Sequence, residues 1–144
     1  MEQEQLLDEL IHDQITELSA EGNALAEQGR CLEARTKFVQ ALELLPEPHL
    51  RWEAATWLWT AIGDMHFLLG DAEKTLQCYV NAVQCPGGLG NPFIHLRLGQ
   101  ACFDLGDLDK AADELTRAYM GAGLDIFMQD DPKYLSFLET RIEL

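Results

Sequence analysis

Three glycines set inside apolar stretches, Gly22, Gly63 and Gly99, each open the same spacing of small and bulky residues. The first frame is Gly22, Gly29, Ala34, Phe38, Ala41; the second is Gly63, Gly70, Thr75, Tyr79, Ala82; the third is Gly99, Gly106, Ala111, Leu115, Ala118. Counted from the first glycine, the offsets are 7, 12, 16 and 19 in all three. Such self-similarity means stacked supersecondary units, none of which can bury its apolar face alone. A glycine inside a helix costs about 1 kcal/mol against alanine. Three at one register position therefore predict another backbone passing close by. The second glycine of each frame precedes a polar residue (Arg30, Asp71, Asp107) and reads as a helix C-terminal cap, with the next helix starting at once. Asp71 and Asp107 suit the N-cap of that helix. The last three positions recur at i, i+4 and i+7, one face of the second helix. Each frame is an αα-hairpin.

The pattern resembles the tetratricopeptide repeat (TPR). In that motif a bulky residue and a leucine precede the glycine, and a proline often ends the second helix. Leu18 with Gly22, Trp59 and Ile62 with Gly63, and Leu98 with Gly99 fill the first slots. Pro46 ends the first repeat, Pro86 comes one slot early in the second, and Gly123 replaces the proline of the third. The slot usually held by tyrosine is Leu25, His66 and Cys102. The resemblance covers residues 15–125. It implies an all-α fold, an α-solenoid of three TPR-like helical hairpins with a C-terminal capping helix. The whole chain is then one domain, with repeats at 15–48, 49–89 and 90–124.

The repeats are not uniform. The glycine-to-glycine step is 41 residues and then 36, both longer than the family's repeat of about 34. Placing the extra residues between Pro46 and Trp52 predicts a lengthened helix over 48–69. A matching extension over 4–28 carries Leu6, Leu7, Leu10 and Ile11 on one side, and the two extensions are expected to pack together. At the far end Gly121 and Gly123 break the last hairpin, and Asp131-Pro132 restarts a helix. Tyr134, Leu138 and Ile142, beside Leu135, make that helix over 131–143 a cover for the open end of the stack.

Charge is the second constraint. The net charge is −15. Residues 1–29 hold eight acids and no Lys or Arg, and residues 101–131 hold eight acids against Lys110 and Arg117. Acidity thus gathers at both ends of the stack. It is either a solvated surface that aids solubility or a surface that steers a basic partner. With no basic patch to meet phosphates, nucleic acid is not expected as a direct ligand. No apolar run approaches the length of a membrane span, and the acidic start, residues 1–5, lacks a signal peptide's basic region. The four cysteines form no CxxC pair, and Cys78 and Cys85 lie about 10 Å apart along one helix, too far to bridge. Free thiols and a cytoplasmic location are the expectation.

In TPR proteins the groove is lined by chosen faces of the first helix of each hairpin. The resemblance assigns Thr16, Ser19, Asn23 and Glu27 in the first repeat, and Trp57, Thr60, Asp64, Phe67 and Leu68 in the second. The third supplies Phe93, Leu96, Arg97, Gln100, Phe103 and Asp104. Four aromatics exceed what a surface without a ligand needs, and aromatics and Arg are the usual interface anchors. The alternative is that Trp57 and Phe93 pack against neighbouring helices or the cap. A clamp for a C-terminal carboxylate needs a ring of lysines, arginines and asparagines. Only Asn23 and Arg97 match; Ser19, Phe93 and Ala61 hold the other slots, which argues against it.

Enzyme chemistry finds no foothold. His66 and Cys102 fall in hydrophobic slots of the repeat and His95 near one, so all three are expected in the core. No Cys/His spacing suits zinc, and there is no phosphate loop or nucleophile elbow. The run 87–90 reads as a turn between hairpins and Asp130-Asp131 as a cap. No cofactor or metal is expected.

Four segments carry a narrower resemblance: Trp52-Glu-Ala-Ala-Thr-Trp-Leu, Gly90-Asn-Pro-Phe-Ile-His-Leu-Arg-Leu-Gly-Gln, Ala118-Tyr-Met-Gly-Ala-Gly and Asp131-Pro-Lys-Tyr-Leu. They are similar to small bacterial TPR proteins encoded beside polymorphic toxins, including the Rhs toxins of type VI secretion. The resemblance implies an immunity protein that neutralises a basic toxin domain by tight binding. Trp57, Phe67, Phe93, Arg97 and Phe103 would anchor the partner. A general adaptor or secretion chaperone holding a peptide in the groove is the alternative.

Overall fold

The computed structural model describes residues 7–144. Among them are seven α-helices and no strand. Three hairpins follow one another: α1 (Glu9–Glu27) with α2 (Cys31–Glu43), α3 (Glu53–Leu68) with α4 (Ala72–Val83), and α5 (Pro92–Asp104) with α6 (Leu108–Ala122). A short α7 (Lys133–Glu139) ends the stack. Each helix packs on its hairpin partner, and α2 on α3 and α4 on α5 join the hairpins. This is the predicted α-solenoid, and no described helix is long and apolar enough to cross a membrane.

The repeated glycines build the hairpins in two ways. Gly29, Gly70 and Gly106 sit at φ +77°, +80° and +86°, a conformation that a Cβ makes costly. There the N–H groups of Arg30, Asp71 and Asp107 reach back to the carbonyls of Leu25, His66 and Cys102 at 2.9 Å. Those bonds close a Schellman cap that reverses the chain. Asp71 and Asp107 then accept from the N–H groups of Lys74 and Lys110 at 3.1 and 3.4 Å, as N-caps.

Gly22, Gly63 and Gly99 do something else. A Cβ on each would stand 2.6 Å from a ring carbon of Phe38, a ring carbon of Tyr79 and Cγ of Leu115 respectively. The close neighbour is chiefly a bulky side chain, not the backbone expected from sequence. Each frame carries its own complement: the glycine is the hole, and the residue sixteen positions later is the knob. Ala34, Ala41, Ala82, Ala111 and Ala118 are fully buried beside these contacts and let the helices approach.

The expected helix extensions form only in part: α1 and α3 begin 13 and 10 residues before Gly22 and Gly63, against 7 for α5 before Gly99. Helix α3 starts at Glu53, not Pro48, after a 3₁₀ turn over His49–Arg51. Trp52 is extended (φ −97°, ψ 136°), its side chain is buried in the first core cluster, and its Nε1–H donates to the Pro46 carbonyl at 2.8 Å. Burying the indole sideways is incompatible with carrying the helix through residue 52. Helix α1 begins at Glu9, capped by the Asp8 carboxylate on the Leu10 N–H at 2.8 Å; Leu6 lies outside the described residues. Leu7 and Ile11 pack against the first core, while Leu10 is 65% exposed. The predicted pairing is therefore partial, with Leu7 and Ile11 packed on the core that α3 shares and an open cleft between the two helices. The capping helix is also shorter than 131–143: Pro132, not Asp131, is its N-cap residue, and Asp131 stands just before it, accepting from the Lys133 N–H at 3.0 Å.

Burial is uneven along the stack. In α1 only Ile15 and Gly22 are buried, whereas α5 buries eight residues. Gly99→Ala is expected to lower stability in urea denaturation. Overpacking against fully buried Leu115 costs about 1–3 kcal/mol, and a backbone nitrogen 3.0 Å away limits relief, so the helix-propensity gain of about 1 kcal/mol is outweighed. Combined with Leu115→Ala, the two losses should sum to less than their separate values.

Candidate binding groove

The first helices of the hairpins, α1, α3 and α5, line the concave face, and the structure divides that face into an open half and a filled half. The open half is a cleft of roughly 500 Å³ between α1 and α3. Its floor is apolar, with Leu7, Ile15, Ala20, Leu58 and Ala61, and Thr16, Ser19 and Asn23 form the α1 wall. Trp57 projects from α3 with 58% of its surface exposed. The cleft continues past Leu7 and Trp57 into a second depression bordered by Glu9, His12, Trp52 and Glu53.

The filled half belongs to the chain's own C-terminus. Arg97 on α5 stacks over the Phe67 ring at 4.1 Å. Its guanidinium donates to Asp64 Oδ1 at 3.1 Å, Gln100 Oε1 at 2.8 Å and Asp130 Oδ2 at 3.4 Å. Gln100 is fully buried and donates its own Nε2–H to Asp130 at 2.8 Å. Burial opposes the Arg97 charge, but Asp64, Tyr79 and Asp130 outweigh it and hold the guanidinium above its usual range. The Tyr79 hydroxyl donates to Asp64. Burial and that carboxylate push the phenol up. Further along, Phe103 meets the rings of Tyr134 at 5.6 Å and Phe137 at 5.0 Å. The Tyr134 hydroxyl donates to Asp104 at 2.9 Å, and burial followed by that bond raises the phenol.

The residues expected to line the groove therefore separate. Asp64, Phe67, Arg97, Gln100, Phe103 and Asp104 are brought together, but each is engaged within the chain. Asn23, Glu27, Trp57 and Phe93 are exposed. Trp57 and Phe93 are not packed under the cap; Phe93 is 67% exposed at the rim of a smaller hollow shared with Ile126 and Asp130. Leu7 and His12, which line the open cleft, carry no slot of the repeat. Asp130 was expected only as a helix cap. Its reach of 33 residues to Arg97 leaves no local pattern.

His66, His95, Cys78, Cys85 and Cys102 lie in the interior, as expected from the sequence for His66, His95 and Cys102. His66 is buried, and burial and then Arg35 lower its proton affinity. His95 is also buried; its Nε2 accepts from the Gly90 N–H at 2.9 Å, so its Nδ1–H donates to Glu114 at 2.6 Å. Among the described residues no group of three His, Cys, Asp or Glu side chains is placed to hold a metal.

No family model matches the sequence, and no curated protein matches it. Solved structures do. The C-terminal TPR-containing domain of a Plasmodium falciparum FK506-binding protein superposes with TM-score 0.73 at 15% identity, over 94% of this chain and 90% of that one. The Yersinia enterocolitica type III secretion chaperone SycD, in complex with a peptide of the translocator YopD, gives 0.72 at 16%, over 92% and 95%. PcrH from Pseudomonas aeruginosa gives 0.68 at 22%, over 94% and 95%. The fold is TPR-like. These likenesses span nearly the full length of both partners, so the three-hairpin stack with its end helix is shared as a unit.

Asp130→Ala should free Arg97 and Gln100 from the C-terminal segment. The expected cost is about 1–3 kcal/mol, seen as faster amide exchange over residues 124–139 than over α3. A second expectation concerns pH. Burial raises the Cys78 thiol from 9.0 to about 11, and Tyr79 and Tyr134 are raised as well. The folded chain holds these groups neutral while the unfolded chain ionises them. The stability the thiol adds is full below 9.0 and is lost as pH rises to about 11, and the two raised phenols carry the loss on to higher pH. Urea midpoints across that window should fall, and Cys78→Ala should flatten part of the slope.

Proposed function

We propose that this chain is a binding protein that seats one partner protein in its concave cleft, and that the partner is a toxin it neutralises by stoichiometric binding. The observation that carries the reading is the open cleft beside Trp57: a preformed apolar depression with an exposed tryptophan and no intramolecular occupant among the described residues. A large indole held in water is a ready interface anchor. The similarity of the four sequence segments to TPR immunity proteins supports the toxin as occupant. So does the net charge of −15, because toxin domains that act on nucleic acid are basic and an acidic surface accelerates their capture. Neutralisation needs only occlusion and a slow off-rate, with no chemistry from the chain.

A secretion-chaperone reading rests on a different observation. SycD carries a translocator peptide, and PcrH has been solved with the chaperone-binding region of PopD. A chain with this stack and an open groove can hold an unfolded segment in the same manner.

Co-expression with the products of neighbouring reading frames separates the two. Immunity predicts rescue of growth and a one-to-one, salt-resistant complex with a single toxin domain, lost when Trp57→Ala is combined with Phe93→Ala. A chaperone predicts weaker, micromolar binding to one or more secreted proteins and no rescue. Rescue that survives the double substitution would place neutralisation outside the cleft.

A further inference from the structure

We propose that the α1–α3 cleft selects a basic segment of its partner, one with an apolar side chain flanked by lysine or arginine, and rejects an acidic one. This deepens the reading of the cleft as the partner-binding site and rests on it.

Negative charge surrounds the apolar floor of the cleft. Helix α1 forms one wall, and residues 7–29 contain no Lys or Arg. Glu9 and Glu53 stand at the mouth on opposite walls. Asp13, with a side chain 73% exposed, follows Glu9 by four residues and so lies on the same flank of the helix. The residues bordering the cleft include acids and His12 but no lysine or arginine. Arg51 is the nearby cation, stacked on Trp52 at 5.5 Å. An apolar side chain entering against Trp57, Leu58 and Ile15 would thus bring its neighbours in sequence between Glu9 and Glu53. Lysine or arginine there finds carboxylates; glutamate finds like charge, which costs affinity and specificity.

The filled half of the face removes the opposite choice. Arg97 is the concave cation that would receive an acidic segment or a terminal carboxylate. Asp64 and Asp130 already neutralise it, with Gln100 locking the geometry. An acidic partner therefore meets no free cation in the filled half among the described residues, and at the open α1 end carboxylates outnumber the one nearby cation, Arg51, which is stacked on Trp52.

Three fluorescein-labelled peptides test this, each with a central Leu-Phe pair flanked by lysines, by serines or by glutamates. Fluorescence anisotropy with the full chain should give the lysine peptide an affinity about tenfold above the serine peptide, with the glutamate peptide weaker still. The preference should shrink with added salt. Glu9→Lys with Glu53→Lys should invert the order, and Trp57→Ala should weaken all three peptides; circular dichroism confirms that these surface variants fold. Equal binding of the three peptides, still sensitive to Trp57→Ala, overturns the charge selection and leaves the cleft as the binding site. Lysine-peptide binding indifferent to both Trp57→Ala and the charge reversal, or no binding of the lysine peptide, overturns the assignment to this cleft. The co-expression experiment then judges partner binding independently.

Discussion

The knob-in-hole contact inside each hairpin is the constraint on which the rest depends. Phe38 over Gly22, Tyr79 over Gly63 and Leu115 over Gly99 fix how closely the two helices cross and at which residue. Because the hole and the knob are always sixteen residues apart, the three hairpins share one shape. Identical shapes stacked with small alanines between them generate a regular curve, and the inner side of that curve is the face made by α1, α3 and α5. The groove is thus a consequence of the hairpin geometry rather than a separate invention.

What occupies the groove is decided by less regular parts of the chain. The C-terminal segment lays Asp130, Tyr134 and Phe137 onto the third hairpin. It covers Leu96 and Gln100 and half-buries Arg97 and Phe103, groove slots of the third hairpin. Trp52, by turning sideways into the core, cuts short the helix that would have covered Leu7. One end of the face is closed and the other is left open by two local departures from the repeat. Their placement gives an otherwise symmetric stack a direction.

The regular features were legible in the sequence because they are local. The offsets of glycine, alanine and bulky residue announce hairpins, and Asp71, Asp107 and Asp131 announce helix starts. The shape of the α-solenoid follows from these. The groove slots were legible as positions but not as free or occupied. Arg97 and Gln100 read as a binding pair, yet their partner Asp130 is brought in by tertiary packing that no spacing encodes. Likewise the stretch from Pro48 to Trp52 has nothing against helix formation except the value of burying an indole, which depends on a core not yet built. Exposure of Trp57 and Phe93 was open for the same reason: both sit at helical positions that could face a neighbour or water.

The scarcity of buried residues in α1 has a mechanical consequence. A helix anchored through so few buried positions opens locally at lower free energy than one anchored as α5 is. In a solenoid each unit leans only on its neighbours, and among the described residues the first hairpin leans on the second. Helix α1 is also a wall of the open cleft. The site is therefore a jaw with one stiff side, α3, and one yielding side, and a seated segment would steady the first hairpin by adding contacts to its yielding side.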